Sequence, residues 1–260
     1  MIEVKDLRKT FRAKDKKSKG SVVEAVSGLN MEFHHGDGRR SGIALKFKLV
    51  IFDCDGVLVD SESITNQIFS GMLNELGIFV SAEDMFERFV GRSMPQCLEV
   101  IEALSGRAVP DEFVENYYAR STRALQAELK AVADIDFVLD TLGVPYCVAS
   151  SGTHDKMNTT LGITGLLSKF QGRMYSVTEV PNAKPAPDVF LHAAKQLGVP
   201  AAACAVIEDT PTGVRAGVAA EMTVFGYCAV TPQKRLIDAG AHYTFERMRD
   251  LPGLLLSLAR

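Results

Sequence analysis

Leu49-Val50-Ile51-Phe52 is a short, wholly apolar run that ends in Asp53-Cys54-Asp55-Gly56. The run reads as a buried strand, and the glycine as the turn that leaves it. Side chains alternate along extended backbone, so Asp53 and Asp55 project to one side and Cys54 to the other. Two carboxylates at the mouth of a buried strand repel and are costly to desolvate. A positive partner is expected between them, and a hard, oxygen-seeking dication such as Mg2+ is the natural candidate. Taken alone, the segment is equally readable as a strand-end turn with solvated acids.

Further apolar runs follow at Tyr146–Ala149, Ala203–Ile207 and Met222–Phe225, with helical apolar spacing over Asp188–Leu197 and Gly213–Ala220. Strands alternating with helices imply parallel pairing, hence an open, Rossmann-like α/β sheet. In such sheets the working site lies beyond the carboxyl ends of the strands, where Asp53, Ser150 and Asp209 all fall. Residues 63–131 differ, reading as successive amphipathic helices with apolar stripes at Phe69, Met72, Leu73 and Leu76, at Leu98, Ile101 and Leu104, and at Phe113, Tyr117 and Leu125. The expected organisation is an N-terminal extension over 1–46, a core made of 47–62 and 132–260, and an inserted helical cap over 63–131.

At 260 residues with 47% hydrophobic content, the chain can bury a substantial core. The net charge of −3 hides an asymmetry: residues 1–48 carry twelve Lys and Arg against six acids, leaving −9 on the remainder. An acidic body suits cation binding and not a polyanion, so no nucleic-acid partner is expected. No apolar stretch reaches the ~18 residues of a membrane helix. The five cysteines are scattered, without a Cys-x-x-Cys pair, which suits a reducing compartment and predicts a cytoplasmic protein. A monomer or weak dimer is expected.

Three more segments bear on the chemistry. Ala149-Ser150-Ser151-Gly152 sets a hydroxyl and backbone N–H donors at a strand end, suited to a phosphate or to helix capping. Asn182-Ala183-Lys184-Pro185-Ala186-Pro187 presents Lys184 either toward an inward anion or to solvent. Ile207-Glu208-Asp209-Thr210-Pro211 again ends an apolar run in paired acids before a helix. Two strands ending in paired acids, met by a hydroxyl and a lysine, are hard to explain as capping.

In this order, Asp53-Cys54-Asp55-Gly56, Ser150, Lys184-Pro185 and Glu208-Asp209 resemble the four signatures of the haloacid dehalogenase superfamily of phosphohydrolases, over residues 47–260. The helical insertion resembles that family's first cap type, as in the beta-phosphoglucomutase and phosphoglycolate phosphatase branch. The resemblance implies that Asp53 attacks phosphorus to form an aspartyl-phosphate. It implies that Asp55 protonates the leaving oxygen and then activates water. Mg2+ would be held by the Asp53 carboxylate, the Asp55 carbonyl and Asp209, with Glu208 directly or through water. Ser150, the N–H groups near Ser151, and Lys184 would bind the transferring phosphoryl group. The substrate implied is a small phosphorylated metabolite. The Phe89-Val90-Gly91-Arg92-Ser93 loop and the Lys184–Lys195 segment resemble those of 6-phosphogluconate phosphatases, and Arg92 is the candidate to grip a substrate anion.

A sugar phosphomutase is the alternative. Mutases that resemble this chain carry a histidine about twelve residues after the nucleophile, and Thr65 stands there instead, which favours water as the acceptor. Met1–Phe11 and Glu24–Asn30 resemble the opening of an ABC transporter ATPase, but Gly38-Arg39-Arg40-Ser41-Gly42 lacks the Gly-Lys-Ser/Thr that cradles nucleotide phosphates. A gene-fusion remnant dispensable for catalysis is expected, with an overextended start and a partner-binding arm as the other readings.

Overall fold

The computed structural model describes the backbone at 2–4, 10–12, 22–24 and 31–33, and then residues 46–90 and 94–258. The first four segments are short strands, β1 (Ile2–Val4), β2 (Thr10–Arg12), β3 (Val22–Glu24) and β4 (Met31–Phe33). They pair antiparallel as β1 with β4 and β2 with β3. The basic run at 14–20 and the His34-His35 pair lie outside the described residues.

The body is built on β5 (Leu49–Phe52), β6 (Tyr146–Ser150), β7 (Met174–Ser176), β8 (Cys204–Glu208), β9 (Thr223–Tyr227) and β10 (Tyr243–Phe245). They form one parallel sheet in the order β10-β9-β8-β5-β6-β7. The chain winds outward from β5 through β6 to β7, then returns to the other side of β5 for β8. The order therefore reverses at β5, the point where open α/β sheets place their ligands.

Alternation sorts the central strands between two apolar layers. Val50, Phe52, Val148, Ala205 and Ile207 enter one layer, while Leu49, Ile51, Cys147, Ala149 and Val206 enter the other. Both faces are covered, so these strands read in sequence as continuous apolar runs rather than alternating ones. β7 and β10 escape a sequence reading because a three-residue edge strand is too short to show any period.

Between β5 and β6 the chain runs through α1 (Ser61–Glu75), α2 (Ala82–Arg88), α3 (Met94–Ser105) and α4 (Phe113–Glu128). These helices close their own apolar cluster around Phe69, whose ring lies 5.3 Å from Phe89, 5.8 Å from Phe113 and 5.3 Å from Tyr117. Of the expected stripes, Leu104 stays 40% exposed, and Leu125 packs instead against the layer beneath the sheet. A further helix, α5 (Ile135–Thr141), leads into β6. The remaining helices connect and follow the later strands: α6 (His154–Ile163), α7 (Leu167–Phe170), α8 (Asp188–Gln196), α9 (Pro211–Ala219), α10 (Gln233–Asp238) and α11 (Leu251–Ser257). Among the described residues, no helix is long and apolar enough to cross a membrane.

Candidate active site

While β6 runs on to Ser150 and β8 to Glu208, β5 ends at Phe52, which stands opposite both Val148 and Ile207. The next residue, Asp53, is fixed by its N–H donating to the Ile207 carbonyl at 2.9 Å. Its carboxylate is thereby set beside those that leave β8. Asp53, Glu208 and Asp209 are all buried, and one oxygen of each falls within 4.8 Å of the others.

Lys184 reaches into this cluster from the loop before α8, with its side chain only 4% exposed. Its ammonium donates to Asp53 Oδ1 at 2.6 Å, Glu208 Oε1 at 2.8 Å and the Ala149 carbonyl at 3.1 Å. Those three bonds use all three ammonium protons. Burial alone would lower the lysine, but the two carboxylates hold it well above its usual value. Lys184 is thus an interior cation, not a surface one.

Glu208 is equally committed. Its Oε2 accepts from the Asp209 N–H at 3.1 Å, the Thr210 N–H at 3.2 Å and the Thr210 hydroxyl at 3.0 Å. Thr210 Oγ1 in turn caps α9 by accepting from the Gly213 N–H, and Pro211 opens that helix. Asp209 is the reverse case: its Oδ1 is buried and meets no partner among the described residues.

Asp55 faces the same cavity but a different set of partners. Its Oδ1 accepts from the Ser61 hydroxyl at 2.7 Å, and its Oδ2 pairs with Lys156 at 2.6 Å. Ser150 is buried at the end of β6, its oxygen accepting from the Gly152 N–H at 2.9 Å, which leaves its own proton free to donate. Ser176 steadies this turn by donating to the Gly152 carbonyl at 2.7 Å. A cavity of about 520 Å³ joins the parts, lined by Asp53, Asp55, Ser150, Ser151, Lys184 and Glu208 from the strand ends and by Glu62, Thr65, Tyr117 and Ser121 from α1 and α4. Arg92 lies outside the described residues.

Lys156, Ser61 and Glu62 were not singled out from the sequence. Lys156 meets Asp55 across 101 residues of chain, and no local pattern signals that pairing. Ser61 and Glu62 stand in the first turn of α1, where a hydroxyl and an acid read as ordinary helix-start residues.

A family model for haloacid dehalogenase-like hydrolases matches residues 50–227. The chain belongs to this family. It is 31% identical over 210 residues to 6-phosphogluconate phosphatase of Escherichia coli (strain K12), covering 80% of this chain and 95% of that relative. Among solved structures, it resembles a haloacid dehalogenase-like protein of unknown function from Agrobacterium tumefaciens, with a TM-score of 0.78 and 34% identity over 82% of this chain and all of the other. It also resembles a haloacid dehalogenase hydrolase from Deinococcus radiodurans R1 solved with bound phosphate and sodium, with a TM-score of 0.74 and 28% identity over 82% of this chain and 97% of that one.

Phosphatases of the haloacid dehalogenase family generally use a divalent metal, and the residues here fit one. Three buried carboxylates against one buried ammonium leave two uncompensated negative charges if all are ionised. The orphaned Asp209 Oδ1 is a hard oxygen donor of the kind such an ion takes. Gly56, at φ +75°, keeps the space beside it open, since a Cβ there would lie 2.0 Å from Asp209 Oδ2. Gly56→Ala is therefore expected to displace Asp209 and weaken metal affinity roughly 10–100-fold, read as a rise in the Mg2+ concentration giving half-maximal turnover.

Without a cation, burial pushes the Asp53 carboxyl up from 3.8 to about 7 against the opposing pull of Lys184, with Glu208 and Asp55 adding to the rise. Asp209 is raised as well, by burial and then by Glu62 and Glu208. A carboxyl whose folded value lies above its unfolded one binds its proton more tightly when folded. Its contribution to stability is full at low pH and is lost as pH climbs from about 4 to about 7. In chelator, Tm should fall across that interval, and Mg2+ should restore it most at pH 8. A Tm indifferent to Mg2+ at pH 8 would contradict a cation site here.

Proposed function

We propose that the protein is a Mg2+-dependent phosphoric monoester hydrolase acting on small phosphorylated metabolites of the sugar-phosphate kind, through an aspartyl-phosphate on Asp53. The observation that carries this reading is the buried Asp53–Lys184–Glu208 pairing beside the orphaned Asp209, at the floor of a cavity large enough for a sugar phosphate.

In the first step an Asp53 oxygen forms a bond to phosphorus as the ester P–O bond breaks. Asp55 delivers a proton to the departing oxygen, its carboxyl oriented by Ser61 and Lys156. In the second step Asp55 takes a proton from water as that water attacks phosphorus, and the bond to Asp53 breaks to release phosphate. Lys184, the Ser150 hydroxyl and the N–H of Ser151 neutralise the phosphoryl oxygens. Asp53, Asp209 and the Asp55 carbonyl would hold the Mg2+, which supplies the positive charge that lets a carboxylate approach an anionic phosphoryl group. Glu208, whose oxygens already accept four hydrogen bonds, contributes through water.

Helices α1 to α4 serve as the cap over the cavity, opening for substrate and closing to exclude water. The Thr65 hydroxyl is turned back onto the Ser61 carbonyl at 3.0 Å and offers no imidazole to gate Asp55, which favours hydrolysis over the mutase reading. The similarity to the Escherichia coli enzyme makes 6-phosphogluconate a first compound to try, and five cysteines of which none forms a disulfide favour a reducing cytoplasm. A monomer or weak dimer without nucleic acid remains the expected assembly. Residues 1–44 are dispensable, so a chain starting at Leu45 should keep the parent turnover.

The test is phosphate release from a panel of sugar, polyol and acid phosphates with and without Mg2+. Release from none of them, with p-nitrophenyl phosphate also untouched, would overturn the reading. Transfer of label between glucose phosphates without net phosphate release would favour the mutase.

A further inference from the structure

Two segments carry the groups that receive the phosphoryl oxygens. The Ser150–Gly152 turn runs on into α6, and the loop with Lys184 runs on into α8. They are distant in sequence, so contacts across the fold must set their spacing. Glu179, at the end of the short turn that follows β7 (Val177–Glu179), reaches both helices. Its Oε2 lies 2.9 Å from His154 Nε2 in the first turn of α6, and its Oε1 4.0 Å from His192 Nε2 on α8. None of these three side chains lines the cavity.

The surroundings keep the Glu179 carboxylate in place. Burial alone would raise it, but the Ser176 N–H, which donates to Oε2 at 2.6 Å, and His154 hold it below its usual value. Ser176 also donates its hydroxyl to the Gly152 carbonyl at 2.7 Å. The Ser150 turn is thus tied to the chain after β7 twice, at Gly152 and at His154. On the other side, Asp188 Oδ1 accepts from the Asn182 N–H at 3.3 Å and from its side-chain amide at 3.0 Å, closing the loop around Lys184. A part-exposed pair such as His154–Glu179 adds little to stability. What it supplies is the register of one segment against the other.

Granted the hydrolase reading above, we propose that Glu179 is a positioning residue: paired with His154, it fixes the distance between the Ser150–Gly152 turn and the loop that carries Lys184, and so the fit of the phosphoryl group between them. It touches no reacting atom.

The experiment measures kcat, KM and Tm for the parent, Glu179→Ala, His154→Ala and the double variant, on p-nitrophenyl phosphate and on the panel ester turned over fastest, at saturating Mg2+. Each single change should lower kcat about tenfold or more on both esters, because small displacements of positioned groups are costly to the chemical step. The loss should fall on kcat more than on KM. The double variant should lose no more than Glu179→Ala, since the two residues act as one unit. His154→Ala leaves the Ser176–Glu179 bond intact and should keep the parent Tm, while His154→Gln, which retains a donor, should recover most of the rate. Parent kcat in either Ala variant, additive losses in the double, or His154→Gln as slow as His154→Ala would overturn the assignment. So would a loss that only follows a fall in Tm, which would make Glu179 a support of the fold. No phosphate release by the parent from any ester tried would instead refute the hydrolase reading, and this inference with it.

Discussion

Asp53→Asn should abolish phosphate release, with a loss on the order of 10⁴-fold or more, as for other residues that act as the attacking group. An amide of the same shape cannot attack phosphorus, and it cannot supply the anionic oxygen a divalent cation requires. The same change should leave the fold intact. In metal-free protein burial already pushes the Asp53 carboxyl up to about 7, so a neutral side chain is what the interior favours there. Lys184 keeps Glu208 and the Ala149 carbonyl as partners in the variant. Far-UV circular dichroism and Tm in chelator should match the parent while turnover disappears. Turnover near the parent rate would remove Asp53 from the chemistry altogether.

Lys184→Met should have the second large effect, and it should damage fold and function together. The lysine side chain is 4% exposed and lies between carboxylates that are themselves buried. Removing one partner of a buried ion pair costs about 3–5 kcal/mol, because the remaining charge has neither water nor a counter-ion. Here both Asp53 and Glu208 would be stranded. Tm in chelator should fall steeply, and Mg2+ should recover part of the loss by replacing some of the missing positive charge. Turnover should remain severely reduced even then, since the phosphoryl oxygens lose a fixed donor. Lys184→Arg should not rescue it. The site asks one nitrogen to reach three acceptors in different directions, which an ammonium can do and a planar guanidinium cannot. An Arg variant with parent stability and rate would mean that Lys184 acts only as a diffuse charge.

The parts of this site that could be read from sequence are those written into a single strand and the turn after it. Leu49–Phe52 with Asp53, and Cys204–Glu208 with Asp209, announce themselves because burial on both faces makes the run apolar and the strand end makes the next acid conspicuous. The same locality explains small errors of extent, such as β9 beginning at Thr223 and running to Tyr227 rather than covering Met222–Phe225. What depends on the tertiary arrangement stayed hidden. The Lys156–Asp55 pair joins an otherwise ordinary first-turn lysine of α6 to an acid in the β5 turn. Leu125 has the spacing of its helix's own apolar stripe, yet it packs on the layer under the sheet because α4 returns there to meet the core. Glu62 looks like a helix-start acid until the cavity around it is seen.

The central claim is that Asp53 carries the phosphoryl group in mid-reaction, and it can be measured directly. The protein is mixed with a turned-over phosphate ester and Mg2+, quenched in acid within a single turnover, digested, and mapped by mass spectrometry. The expected result is a phosphoryl group on the peptide containing Asp53, present with Mg2+, absent in chelator and absent from Asp53→Asn. Full release of phosphate over the same interval, with that peptide unmodified at every quench time, would contradict it.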